Sequence, residues 1–513
     1  MQGGTAVQMS ASASVVGLAD ARRRVRTLRR RTPALLLTVA AVAAIVASAT
    51  LAAGETPLAR RITKAVRRYE AASGAVVGVC IVRLAGGGTI VQLRPDELFI
   101  PASNQKLLTS AFALTRLGGD FQFATAAYLD NGHLRVFGSG DPTFGDPVLA
   151  KDANRTIYAE LDRWADAIKR ADPAGVTRGI TCYASFTVDQ RTALKAYRHP
   201  TWPVKQRERH YCAPVAGLNL SNNCFNVTFR RNGGGAILPV VVPASRHIRV
   251  VNRTKLGRRH VWSLRTNVDD SELTVRGTVK SASSSPYPVA ANDPPLLFAR
   301  VLADRLARAK VPLAGRIRAG ALPTPANRPK GKPVARTLTP LADVLRRMNK
   351  ASLNMAAECV LLRAGDGTWA GSAKLMADTL AKTYRLDPAG LVVSDGGGLS
   401  RDNRVSPATM VRVLAGAAAR SDARGLLQSL PSSGTDGTLR KRLARAPYKT
   451  RVRAKTGYVM GVCTLSGFVL NTQRQGEIAF SILANRVPPG KAWQAKQLQD
   501  TICRMLVDEL DRK

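Results

Sequence analysis

Histidine is scarce in this sequence: five residues among 513, at positions 133, 199, 210, 247 and 260. No two of them stand four apart around a glutamate, which excludes the helical zinc-hydrolase motif. No Gly-x-Ser-x-Gly elbow occurs, so a Ser-His-Asp site lacks its strand-to-helix signature. Neither a metal nor a cofactor is assigned. Seven cysteines are present but never as Cys-x-x-Cys, and their odd number leaves at least one thiol unpaired in a monomer. Cys212 and Cys224 are near enough in sequence to bridge, and Cys80, in the run Val76 to Val82, reads as a buried small hydrophobe. Acid is scarce too: 35 Asp and Glu against 77 Lys and Arg, a net +42. Such a field attracts polyanions. Zinc-finger spacing and RNA-binding aromatic motifs are both missing, which sets nucleic acid aside as a partner.

What is present begins with hydrophobicity. At 45% of 513 residues it excludes disorder as the main state and supplies a core for more than one domain. Seven arginines between Arg22 and Arg31 precede an uncharged run from Pro33 to Ala53. This reads as an export segment, with Ala47-Ser48-Ala49 as a cleavage pattern, so residues 1–53 are a signal peptide or a membrane anchor. The segment accounts for +6 of the charge and leaves +36 on the rest. The basicity therefore belongs to the folded chain, which is expected to face the periplasm or cell wall, where anionic envelope polymers are partners of the right sign.

The folded chain opens on an amphipathic basic helix, with Leu58, Ile62, Val66 and Tyr69 at helical spacing. Ala75 to Leu84 and Thr89 to Leu93 form a strand pair around Gly86-Gly87-Gly88. The far end mirrors this with strands at Arg451 to Tyr458, Cys463 to Leu470 and Glu477 to Ala484, then a final helix. Strands from both ends imply one antiparallel sheet covered by helices. Between about 125 and 318 the pattern changes to short strands and turns, with little helical periodicity before Pro294 to Ala309. Strands are expected at Ala213 to Phe229, Ile237 to Val251 and Ser271 to Val279. The segment reads as a β-rich insert with its own core, outside any cleft. Pro323 to Val334 is the linker back.

Catalysis without histidine needs another base. Ser103 and Lys106, in Pro101-Ala102-Ser103-Asn104-Gln105-Lys106, precede the helical pattern Leu107, Leu108, Phe112, Leu114, and so share a helix face one turn apart. Free N–H groups at the helix start stabilise a developing oxyanion. A lysine held neutral by burial can take the hydroxyl proton. Ser103-x-x-Lys106 is the sole Ser-x-x-Lys in the chain. Ser352-Leu353-Asn354 and Lys455-Thr456-Gly457 follow it, the latter on an edge-type strand. That order is the constellation of penicillin-recognising serine enzymes.

With these motifs the chain resembles the D-alanyl-D-alanine carboxypeptidase/endopeptidase family of the penicillin-binding protein 4 type, over about residues 55 to 510. The spacing of 249 positions from Ser103 to Ser352 resembles that family in holding a large insert. The resemblance implies an α+β fold: a serine β-lactamase/transpeptidase-like domain from 55–124 and 319–513, interrupted by the β-rich insert at 125–318. It implies hydrolysis of D-alanyl-D-alanine or cross-link bonds in peptidoglycan stem peptides through a serine acyl-enzyme, and binding of β-lactams. It assigns Ser103 as nucleophile, Lys106 as base and Ser352 as proton relay. Asn354, Lys455, Thr456, Gly457 and Tyr458 would bind substrate, with the backbone N–H groups of Ser103 and Tyr458 as oxyanion hole. Two departures stand out. Tyr458 replaces the family's Thr or Ser, and Asp395-Gly396-Gly397-Gly398-Leu399 lacks the serine of the family's Asp-Gly-Ser-Gly-Leu. These leave open a non-hydrolytic relative that binds peptidoglycan with the same cleft and a basic surface.

Overall fold

The computed structural model describes residues 56–183, 197–320, 331–421, 425–473 and 475–512. The expected export segment at 1–53 and most of the expected linker lie outside them. Among the described residues no helix is long and apolar enough to cross a membrane. Helix α1 (Pro57–Ser73) turns Ile62 and Val66 inward and leaves Arg61, Lys64, Arg67 and Arg68 exposed. It ends at Gly74, whose φ of +70° suits glycine. Strands β1 (Val76–Arg83) and β2 (Thr89–Leu93) follow. A 3₁₀ turn at Ala102–Asn104 then leads into α2 (Gln105–Leu117). Every α2 residue from Gln105 to Leu114 is buried, so this helix runs through the core rather than over it.

The chain then leaves this layer. β3 (Gln122–Asp130) and β4 (His133–Gly138) form a hairpin, α3 (Pro147–Asp152) and α4 (Ala159–Ala171) follow, and β5 (Ile180–Tyr183) runs parallel to β4. On α4, Leu161, Trp164, Ala165 and Ile168 form one fully buried face, a helical spacing that an expectation of mainly strands and turns passes over. Next come β6 (Cys224–Arg231), β7 (Ile237–Val242), β8 (Arg249–Leu256), β9 (Val261–Thr266), β10 (Glu272–Val279) and β11 (Ser283–Ala290). They make two three-stranded sheets, ordered β11-β6-β7 and β8-β10-β9. The strand expected from Ala213 begins only at Cys224, because side-chain amides take over the preceding backbone. Asn223 Nδ2 donates to Pro214 O at 2.9 Å, and Leu220 N–H donates to Asn223 Oδ1 at 3.1 Å. The strand expected from Ile237 to Val251 is two strands, separated by a turn in which Ser245 Oγ accepts the His247 N–H. Helix α5 (Pro294–Arg308) stands where a helix is expected, and its Phe298 packs with Phe144 and Trp164 in the insert's core. β12 (Ile317–Gly320) follows.

β13 (Ala335–Pro340) pairs antiparallel with β3 and completes a sheet ordered β12-β5-β4-β3-β13. This sheet reaches past the expected limits at 125 and 318. Then come α6 (Leu341–Ala351), α7 (Asn354–Ala364), α8 (Trp369–Tyr384), the short pair β14 (Leu391–Val392) and β15 (Arg404–Val405), α9 (Pro407–Ala419) and α10 (Gly425–Ser429). β16 (Val452–Val459), β17 (Val462–Leu470), β18 (Gly476–Asn485) and α11 (Ala492–Asp511) end the described chain. The main sheet is ordered β16-β17-β18-β1-β2, each neighbouring pair antiparallel, built from both chain ends as expected. Helix α9 packs on β18 and β1, and α11 on β17. β17 is consequently buried along its whole length, and β16 remains as the edge. All seven cysteines are free and buried, Cys212 and Cys224 included.

Candidate active site

The turn that carries Ser103 is bolted to the main sheet. Thr464 Oγ1 on β17 donates to Pro101 O at 2.8 Å, and Asn104 Nδ2 donates to Lys455 O at 2.5 Å. Gly457 permits this approach: a Cβ there would stand 2.1 Å from Thr464 Oγ1 and 3.0 Å from the Ser103 nitrogen. Ala102, wholly buried, is held at φ +46°, a conformation that costs an L-residue of order 1–3 kcal/mol. Strain is thus stored beside Ser103 and held by its surroundings.

Lys106 lies one turn along and is completely buried. Its Nζ has three neighbours: Ser103 Oγ at 3.1 Å, Asn354 Oδ1 at 2.7 Å and Gly397 O at 2.6 Å. Two are carbonyl oxygens that only accept, and the third is a hydroxyl that can donate. As an ammonium the group donates to all three; once deprotonated it keeps two N–H groups for the carbonyls and turns a lone pair to the Ser103 O–H. Burial lowers the Lys106 pKa to about 8, against the pull of Glu358 and Asp395.

Ser352 caps the C-terminus of α6 at φ +58°, and Asn354 begins α7 two residues later. This joint sends the two side chains to different lysines. Ser352 Oγ accepts from Lys455 Nζ at 2.8 Å, while Asn354 accepts from Lys106. Lys455 is fully buried and held well below the usual lysine range, first by burial and then by Lys106. Asn354 Nδ2 donates to Tyr211 O at 2.9 Å, so part of its expected capacity for a substrate amide is already engaged.

Along the β16 edge, the Ala454 N–H donates to Pro431 O at 3.1 Å, away from β17. The two-residue period of a strand turns the Thr456 and Tyr458 N–H groups toward the same open edge. Tyr458 is 61% exposed, so it does not fill the cleft. Thr456 Oγ1 donates to Thr438 Oγ1 at 2.9 Å. Thr438 in turn lines a cavity of about 990 Å³, together with Leu338, Arg347, Lys350, Ala351 and Asp436.

All eight residues singled out from the sequence converge here. Glu358 and Asp395 were missed as site residues. Glu358 is fully buried and accepts the Gly396 and Gly397 N–H groups at 2.7 and 2.6 Å. Burial, with Asp395 adding, pushes its carboxyl well above the usual range. Its signal was available: position 358 is four after Asn354, on the same face of α7. Asp395 accepts from Gly398 N–H, Ser400 N–H, Asn403 Nδ2 and Trp202 Nε1. Trp202, Thr201 and Tyr211 come from the insert, and Thr201 bonds Ser400 at 2.8 Å. The expectation that the insert stands outside the cleft is therefore corrected: its 197–224 stretch packs Trp202, Cys212 and Val215 against Met355 and Cys359 of α7. Among the described residues no group of three His, Cys, Asp or Glu side chains could hold a metal ion.

Comparison with known proteins matches residues 58–506 to a family model described as D-Ala-D-Ala carboxypeptidase 3 (S13). A D-alanyl-D-alanine carboxypeptidase, DacB, of Haemophilus influenzae is 26% identical over 81% of this chain and 87% of its own length. A D-alanyl-D-alanine carboxypeptidase of Actinomadura is 27% identical over 82% of this chain and 80% of its own. The crystal structure of penicillin binding protein 4 from Haemophilus influenzae superposes with a TM-score of 0.67 at 23% identity, covering 87% of this chain and 99% of that one.

Proposed function

Because the chain belongs to the D-Ala-D-Ala carboxypeptidase 3 (S13) family, we propose that Ser103, Lys106, Ser352 and Lys455 carry out its serine peptidase chemistry. Ser103 Oγ attacks the carbonyl of the penultimate D-alanine as neutral Lys106 takes the hydroxyl proton. The backbone N–H groups of Ser103 and Tyr458 receive the oxyanion. The C–N bond breaks, the leaving amine gains a proton from Ser352 O–H, and the proton on the lysine pair replaces it. Water then attacks the ester, its oxygen goes to the peptide acid, and Ser103 regains its proton. β-Lactams enter by the same acylation. The geometry around Lys106 Nζ carries this proposal: the buried amine stands 3.1 Å from Ser103 Oγ, the one neighbour that can give it a proton.

The leaving side of the cleft lies by Ser352 and Thr456, and both adjoin the 990 Å³ cavity, through Ala351 and Thr438. That is the upper end of the roughly 300–1,000 Å³ typical of ligand pockets. It supports cross-linked stem peptides as substrates beside free D-alanyl-D-alanine termini. Thr438 and Thr456 offer hydroxyls close to the backbone, where Tyr458 carries its own at the end of an exposed ring. The non-hydrolytic alternative has no support in a site with both lysines engaged and Tyr458 turned to solvent. Export to the periplasm or wall belongs to the same proposal, resting on the arginine-rich, apolar segment at 1–53. The test is D-alanine release from a D-alanyl-D-alanine peptide: activity in the parent and none in Ser103→Ala supports it, and equal release by both overturns it.

A further inference from the structure

Far along the insert, the β8-β10-β9 sheet is charged in a way that the fold does not require. Residues 249–280 contain eight basic and three acidic side chains. The acids are engaged: Glu272 with Arg249, Asp269 with Arg300, and Asp270 with the backbone N–H groups of Asn292 and Asp293. Toward the opposite end of the sheet, among the described residues, the strands carry no further acid, and Glu272 is shared between Arg249 and, at longer range, Arg253. Arg253 and Arg276 are both exposed and directly opposite each other in register across β8 and β10, a like-charge pairing that destabilises a sheet. β8 adds exposed Lys255, the crossing to β9 adds Arg258 and Arg259, and Lys280 follows β10. Among the described residues the region's ion pairs, Arg246 with Asp304, Arg249 with Glu272 and Arg300 with Asp269, involve none of these six. Like charges so placed favour a counter-charge from outside the chain.

Apolar groups stand among these cations. Leu256 and Val261, flanking the crossing, are 66% and 67% exposed. Beside them Phe229, Trp262 and Tyr287 line a cavity of about 470 Å³, with ring centroids 4.9 Å apart for Phe229 and Trp262 and 5.3 Å for Trp262 and Tyr287. Trp and Tyr, apolar in body and polar at the tip, are favoured at membrane–water interfaces. A soluble polyanion would satisfy the arginines and gain nothing from Leu256 and Val261. A neutral apolar partner would leave the arginines unmatched.

We propose that this tip docks on an anionic phospholipid bilayer. The cations meet headgroup phosphates, while Leu256, Val261 and the aromatic cavity enter the interfacial layer. The surface takes no part in the chemistry at Ser103, so its test is separate from that of the peptidase assignment.

Hydrogen exchange on the full chain reads the tip locally, apart from any lipid binding by the N-terminal segment. Three probes are compared: phosphatidylcholine vesicles with phosphatidylglycerol, phosphatidylcholine vesicles alone, and soluble polyphosphate. Exchange at residues 255–262 slows with the anionic vesicles only. The double substitution Arg258→Glu, Arg259→Glu raises the lipid concentration for half-protection by about tenfold or more. Leu256→Ser with Val261→Ser raises it as well, at unchanged charge. Benzylpenicillin acylation stays at the parent rate in both variants, which shows that they are folded. Equal slowing by neutral vesicles, slowing by polyphosphate but not by vesicles, no slowing at all, or protection that neither double variant alters would each overturn the proposal.

Discussion

Glu358 reaches Lys106 through one residue, Gly397: the carboxylate accepts the Gly397 N–H at 2.6 Å, and the Gly397 carbonyl accepts from Lys106 Nζ at 2.6 Å. The acid thus holds the residue whose carbonyl holds the base. It also favours the charged form of the lysine from a distance, while burial favours the neutral form and prevails.

The pH dependence of acylation follows from that balance. With Lys106 lowered to about 8, the lysine is protonated below that value and cannot accept the Ser103 proton. The benzylpenicillin acylation rate should therefore rise about tenfold per pH unit on the acid side and level off above about 8. Stopped-flow acylation across pH 5 to 10 measures it. A rate that is flat from 6 to 10 would show that Lys106 is not the titrating base.

Glu358→Gln removes the charge and keeps the shape. Lys106 then loses a group that raises its pKa, so the acid limb should move to lower pH. One of the two glycine N–H groups would face an amide NH₂ instead of an oxygen, an unmet buried donor costing about 1–3 kcal/mol. A lower melting temperature together with a displaced acid limb is expected. A lower melting temperature with an unmoved limb would assign Glu358 to structure alone.

Restoring the family's serine at 397 should fail. A Cβ at Gly397 would stand 2.8 Å from Glu358 Oε1 and 3.3 Å from Asn354 Oδ1. Gly397→Ser is expected to cost about 1–3 kcal/mol by overpacking and to slow acylation by displacing Lys106's partner. Urea unfolding and acylation rates measure the two effects. Unchanged stability with faster acylation would mean that the missing hydroxyl is a real loss.

The insert's contribution is read at Trp202, whose Nε1 donates to Asp395 at 2.9 Å. Trp202→Phe keeps most of the packing and removes that bond. A hydrogen bond to a charged group contributes about 1.5–3 kcal/mol, so lower stability and slower acylation should appear together. Wild-type acylation in this variant would return the insert to a position of independence from the site.

The main sheet was legible because strand patterning at both chain ends needed no long-range information: Val76 to Val82 is an apolar run, and Cys463 to Leu470 is mainly apolar with only Thr464 and Ser466 polar, each between turns. Ser103, Lys106, Ser352 and Lys455 were legible because motif order survives without coordinates. Glu358 and Asp395 were not. A buried carboxylate looks like any surface acid until the glycines that wrap it are placed. Helix α4 was missed although Leu161, Trp164 and Ile168 carry its period, because the strands around it set the expectation. The insert's contact with the site was invisible because Trp202 and Asp395 are 193 residues apart, and spacing alone cannot bring them together.

The central claim is that Ser103, activated by Lys106, forms an acyl-enzyme. Intact mass after benzylpenicillin treatment, followed by peptide mapping, tests it most directly. One adduct on the peptide containing Ser103 is predicted for the parent, none for Ser103→Ala, and a rate reduced by about 10²- to 10⁴-fold for Lys106→Met. An adduct on any other residue, or one that persists in Ser103→Ala, would contradict it.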